Sequence, residues 1–188
     1  PLWILPLSVS WRDRRVATLV HVTHEAVQQS GGIGAVLRGL ITARAYADRV
    51  ARTILLGPLP EGAEAPESRS DLEVLYDSSR GIRSAPASPA LDRVAERYGV
   101  RLVYGTRLLR GDGGEARPEV LMVEASRPHR RIDEFKYFLH ERFGLDSRRY
   151  EVSGEYELYL RIADPGYEAV RALVGGSPDI CWVIAHEF

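Results

Sequence analysis

The sequence predicts an α/β domain, a Rossmann-like layered fold with a mostly parallel sheet flanked by helices. Two observations carry this. Short β-branched apolar runs with little alternation, Val16–Thr23 (VATLVHVT), Arg52–Leu56 (RTILL) and Asp179–Ala185 (DICWVIA), have the pattern of strands buried on both faces. Between them lie segments with helical apolar spacing, and such alternation builds layered α/β domains. The chain of 188 residues, 45% of them apolar, is long enough for one domain with a substantial core, so residues 1–188 are read as a single domain.

The elements follow in order. Trp3–Val9 is apolar and reads as a short strand or surface strap. After Val16–Thr23 comes a glycine-rich turn, Gln28–Gly34, then a helix over roughly 34–50 with Val36, Leu37, Leu40, Ile41, Tyr46 and Ala47 on one face. With Arg52–Leu56 this completes a βαβ unit. Residues 57–71 hold three prolines, five charged residues and no apolar period, so an exposed loop is expected. Leu72–Tyr76 is a third strand. Ser88-Pro89 suggests an N-cap and first helical residue. The helix face is Leu91, Val94, Ala95 and Tyr98, and Gly99 is the stop. Two strands, Arg101–Leu109 and Pro118–Ala125, form a hairpin-like pair over about 101–125 around Gly111-Asp112-Gly113-Gly114. Ile132–Phe143 is expected to be a helix burying Ile132, Phe135, Phe138, Leu139 and Phe143, ended by Gly144. Glu155–Ala163 reads as a helix, with Asp164-Pro165 starting a second one to about Leu173. Asp179–Ala185 closes the sequence as a buried strand. A parallel strand so placed calls for a crossover helix to cover it. The chain therefore reads as an excised part of a longer protein.

Composition narrows the function classes. Acids number 26 and bases 25, which argues against nucleic-acid binding. No run of about 18 apolar residues is present, so no membrane span is expected. No signal pattern precedes the domain, so a cytoplasmic protein is expected. Cys181 is the only cysteine, which excludes an internal disulfide and a thiolate metal cluster. Its place in an apolar strand suggests an inert core thiol. Arginine outnumbers lysine, present only as Lys136, asparagine is absent, and the only glutamines are Gln28 and Gln29. Heat adaptation and GC-rich coding both produce such a skew.

Two constellations stand out. Gln29-Ser30-Gly31-Gly32-Ile33-Gly34 lies between a strand and a helix. Glycines there allow close backbone approach and positive φ, and a helix start offers N–H groups to phosphate. The spacing is neither G-x-G-x-x-G nor that of a P-loop, so a simple packing turn remains an alternative. His186-Glu187 follows the last strand. Ligands of open parallel sheets bind beyond the carboxyl ends of strands, where both constellations would lie. A structural histidine is the alternative for His186. His21-x-x-His24-Glu25 has the wrong order for H-E-x-x-H and sits on a strand, so no metal site is expected. No G-x-S-x-G elbow is present. Glu124 is a carboxylate without an evident role.

At these residues the chain resembles the N-terminal half of glycogen/starch synthase-type glycosyltransferases of GT-B architecture. His24-Glu25-Ala26-Val27-Gln28-Gln29-Ser30-Gly31-Gly32-Ile33-Gly34-Ala35-Val36 resembles the family's E-V-x-x-K-x-G-G-I/L loop. Residues 178–188 (PDICWVIAHEF) resemble its P-D-V-I-H-x-H-D/E-W strand end, and 155–174 resemble the helical stretch before it. The resemblance implies one half of a two-domain enzyme that transfers glucose from ADP- or UDP-glucose to an α-1,4-glucan, with retention and without cofactor or essential metal. It further implies that Gly31 and Gly32 face the donor diphosphate and that His186 and Glu187 line the cleft. The partners implied are the C-terminal GT-B domain and an α-glucan acceptor; this half alone would be inactive. The family's loop lysine is Gln29 here, which exchanges a full charge for a neutral donor. A non-catalytic glucan- or sugar-phosphate-binding module is the alternative, and an unrelated nucleotide-binding α/β domain a third.

Overall fold

The computed structural model describes residues 16–27, 31–59, 70–175 and 181–186. The expected strand at Trp3–Val9 and most of the expected loop at 57–71 lie outside these.

The chain starts as the alternation predicts. Strand β1 (Val16–Val22) leads through the glycine turn into α1 (Gly32–Thr42), a short α2 (Arg44–Ala47) and β2 (Val50–Pro58). The single helix expected over 34–50 is thus broken at Ala43, which is extended with φ −69° and ψ 133°. Next come β3 (Leu72–Asp77), the two-residue β4 (Ile82–Arg83) and α3 (Ser88–Tyr98). Then come β5 (Leu102–Arg107), β6 (Leu109–Gly111), β7 (Gly114–Ala116), β8 (Glu119–Val123), α4 (Ile132–Phe143) and α5 (Gly154–Val174). A 3-10 turn at Ser147–Arg149 precedes α5, and β9 (Cys181–Ala185) follows it.

Seven strands form one sheet in the order β4-β3-β5-β8-β2-β1-β9. The pairs β9–β1, β1–β2 and β2–β8 are parallel, while β5 runs antiparallel to β8 and to β3, and β4 to β3. The sheet is mixed, and the mostly parallel expectation holds for its β9-β1-β2-β8 half. The reason is local. β5 and β8 are the two arms of the expected hairpin, whose tip folds into the β6–β7 ribbon, and a hairpin can only add antiparallel strands.

Helices pack on both faces. One core joins Val20, Ile54 and Leu56 to Leu91 and Tyr98 of α3 and to Ile162 and Ala169 of α5. The other joins Leu55, Val103 and Met122 to Leu37 and Ile41 of α1.

Four expectations need correction. Helix α5 is continuous through Pro165. Proline inside a helix removes one hydrogen bond and costs about 3 kcal/mol. Burial of Leu160, Ile162, Ala169 and Val170 on either side of it offsets that loss. Ser88 does not cap α3: Ala87 is the N-cap, and the Ser88 hydroxyl donates to the Ala85 carbonyl. Helix α4 has the expected ends, with Gly144 left-handed at φ 67°, yet among its residues only Ile132 is buried. Phe138 and Phe143 are exposed, packing on each other edge to face. The helix lies beside α5 rather than over the sheet, tied there by Lys136, which donates to Glu151 and Glu157. Finally, β9 is an exposed edge strand. Trp182, Val183 and Ile184 are all exposed, and Cys181 is an exposed thiol rather than a core one. Among the described residues no helix is long and apolar enough to cross a membrane.

Candidate functional site

Strands β1 and β9 run parallel, with His21 opposite Ile184 and Val22 opposite Ala185. Their carboxyl ends therefore meet. The His186 N–H extends the ladder, donating to the Val22 carbonyl at 3.0 Å. The same end of β1 launches the glycine turn. As a result His24, Glu25, Gly31, Gly32, Ile33, Val36 and His186 line one cavity of about 500 Å³. The sequence places Gly31, Gly32, Ile33 and His186 in a site, and the structure brings all four together. Gly34 is the third residue of α1. Gln29, Ser30 and Glu187 lie outside the described residues.

The start of α1 is held by Glu25. The Gly34 N–H, third in α1, donates to Glu25 Oε2 at 2.8 Å. A carboxylate there satisfies a helix-start N–H that has no carbonyl to reach and complements the helix dipole. Glu25 is 4% exposed, and its own N–H donates to Thr23 Oγ1. His24 Nε2 stands 3.4 Å from Glu25 Oε1.

Gly31 serves close approach, and neither Gly31 nor Gly32 has a positive φ. Gly31 is extended at φ −149°, and a Cβ on it would lie 2.7 Å from Glu25 Oε1. A Cβ on Gly32 would meet nothing within 4 Å, so this position opens directly onto the cavity. No Lys or Arg is among the described residues lining it.

A prediction follows for the cap. Glu25→Ala should lower stability by about 1 kcal/mol, as typical cap losses do. Glu25→Gln, which keeps an acceptor oxygen, should recover part of it. Urea unfolding midpoints of the three proteins measure this, and equal midpoints would refute the cap role.

Behind His186 lies a second cavity of about 620 Å³, between β9 and α5. It is lined mainly by apolar side chains, with Glu155, Tyr159 and Tyr167 from α5. His186 borders both cavities. On its other side, His186 Nε2 contacts Nδ1 of His21 at 2.9 Å. In the sequence His21 belongs to an H-x-x-H-E stretch with the wrong order for a metal site. A histidine within a buried β-branched run is the signal that could have marked it, because buried polar groups require partners.

Two other carboxylates, Glu124 and Asp77, have structural roles. Glu124 accepts from the Arg101 N–H and the Ser126 hydroxyl, fixing the end of β8. Asp77 is fully buried and bonded to Arg101 and Ser79. Burial pushes its carboxyl up, but the bonds to Arg101 and Ser79 outweigh that and hold it below the ordinary value. No group of three or more His, Cys, Asp and Glu among the described residues could hold a metal ion. Neither a protein-family model nor a curated protein matches the chain.

Proposed function

We propose that this chain is the acceptor-side domain of a retaining glucosyltransferase resembling glycogen/starch synthase, using ADP- or UDP-glucose and an α-1,4-glucan. The observation that carries this reading is the shared cavity. The glycine turn and His186 are distant in sequence, match the two motifs of the resemblance, and line one concave site at the carboxyl ends of adjacent parallel strands. In this reading the first N–H groups of α1 bind the donor diphosphate. His186 lines the cleft on the acceptor side. The C-terminal GT-B domain supplies the opposite wall, with most nucleotide contacts, and the groups that stabilise the transition state come from both walls.

A second reading has its own support. Glu25 already places a negative charge at the start of α1, and no described cation lines the cavity to offset a diphosphate. These features favour a module that binds a neutral glucan without transferring glucose.

One assay separates the two. The full-length protein is tested for transfer of labelled glucose from each donor to an α-1,4-glucan, alongside Gln29→Lys and the 188-residue chain. The transferase reading expects activity in the full-length protein and none in the chain alone. Gln29→Lys exchanges a neutral hydrogen bond for a charge-assisted one, a gain on the order of 1–2 kcal/mol, so kcat/KM for donor should rise about tenfold. Absence of transfer with both donors, together with maltooligosaccharide binding by the chain, would replace this reading with the second.

A further inference from the structure

His21 is a fully buried imidazole in the middle of β1, and neither functional reading gives it a task. Both of its ring nitrogens are engaged. Nδ1 lies 2.9 Å from His186 Nε2, and Nε2 lies 3.0 Å from the Tyr46 hydroxyl. The Tyr46 hydroxyl is in turn 2.9 Å from Thr53 Oγ1. A continuous chain of hydrogen bonds thus runs from β2, through α2 and β1, to the ring that borders the cavity.

Such a chain has few arrangements. A neutral imidazole has one donor nitrogen and one acceptor nitrogen. If Thr53 donates to Tyr46, then Tyr46 donates to His21 Nε2, His21 Nδ1–H donates to His186 Nε2, and the His186 proton sits on Nδ1. If the order is reversed, His186 Nε2–H donates to His21 Nδ1, His21 Nε2–H donates to Tyr46, and Tyr46 donates to Thr53. In either order the two rings carry their protons on the same-named nitrogen. Doubly protonating both rings would set N–H against N–H across this contact, so the pair accepts one extra proton at most while the contact lasts.

We propose that Thr53, Tyr46 and His21 are positioning residues that select which nitrogen of His186 is protonated. They thereby decide whether Nδ1, the nitrogen not engaged with His21, is a donor or an acceptor toward a ligand in the cavity beside Gly31 and Gly32. Burial keeps both rings neutral at pH 7, holding His21 down at about 4 and His186 below its ordinary value. Neutrality is the state in which the choice of nitrogen has meaning. The other polar and titratable groups facing this pair are His24 and Glu25 from the turn after β1, Tyr46 from α2, Thr53 from β2, and Glu155, Tyr159 and Tyr167 from α5.

The inference does not rest on the transferase reading, and its test uses no sugar. Long-range proton–nitrogen NMR on the 15N-labelled chain at pH 7 reports the protonated nitrogen of each ring. His21 and His186 should show the same tautomer. Opposite tautomers would overturn the relay. Tyr46→Phe removes one link that does not touch His186 in the chain of bonds, and should shift the His186 tautomer populations. Thr53→Val makes the milder change should Tyr46→Phe fail to fold. A folded variant with lower stability and unchanged His186 populations would make the network structural only, and would overturn the proposal.

Discussion

Gly57→Ala should destabilise the fold by about 1–3 kcal/mol, the usual range for forcing an extra methyl into a packed position. Gly57 lies near the carboxyl end of β2, where a Cβ would be 2.2 Å from the Thr23 carbonyl oxygen and 3.0 Å from the Ala26 Cβ. The first of these is backbone, so it cannot rotate away. Thr23 is also held from the other side, since its N–H donates to the Leu56 carbonyl at 2.8 Å. The strain would therefore pass into the turn after β1. There Thr23 Oγ1 accepts from the Glu25 N–H, and Glu25 caps α1. One methyl on a neighbouring strand should thus loosen the wall of the candidate site. Gly32→Ala is the internal control, because its added methyl meets no neighbour. Denaturant midpoints should fall for Gly57→Ala and stay level or rise slightly for Gly32→Ala. Equal stability of Gly57→Ala and the parent protein would show that the contact is not tight in solution.

Gly57 also marks the limit of sequence reasoning. In the sequence it begins a segment with three prolines and reads as the start of a loop. In the fold it belongs to β2, pairing with Met122 of β8. The requirement for glycine there comes from a carbonyl on another strand, and long-range contact of that kind leaves no local trace. Strands β1 and β2 were legible because burial on both faces erases alternation. β1 and β2 match their apolar runs closely. The same signal misled for β9, whose run is equally apolar but whose residues are exposed at the sheet edge. Apolar character records what a segment is able to bury. Helix α4 repeats the lesson, since its phenylalanines have core spacing and yet Phe138 and Phe143 are exposed. For the site, the glycine turn and His186 were legible by the carboxyl-end rule. The cap by Glu25 was not, nor was the contact between His21 and His186, because each depends on where a side chain crosses between elements.

Burial of His21, packed against His186, should make the fold acid-labile from about pH 6.5 downward, before the carboxylates begin to titrate. Burial holds the His21 imidazole down at about 4, whereas an unfolded chain leaves it near 6.5. Between these values the unfolded state binds the proton and the folded state does not. Stability is therefore full above about pH 6.5 and falls as the pH drops through this window toward 4. The shift corresponds to about 3 kcal/mol lost across it. His186 and His129 are lowered by burial as well, so both act in the same direction. Because His21 and His186 share a hydrogen bond, the transition belongs to the pair rather than to either ring. Asp77 acts in a different window. Its carboxyl is held below 3.8, so its contribution is lost only as the pH falls below that value. The two sources are thus separable by pH alone. Urea unfolding at intervals from pH 7 to 4 should show a falling free energy for the parent protein. His21→Leu removes the titrating ring, so its curve should be flatter over the same interval even though it starts lower, having lost the bonds to Tyr46 and His186. Parallel curves for the two proteins would mean that His21 takes up its proton as readily folded as unfolded, and that the buried contact to His186 does not persist in solution.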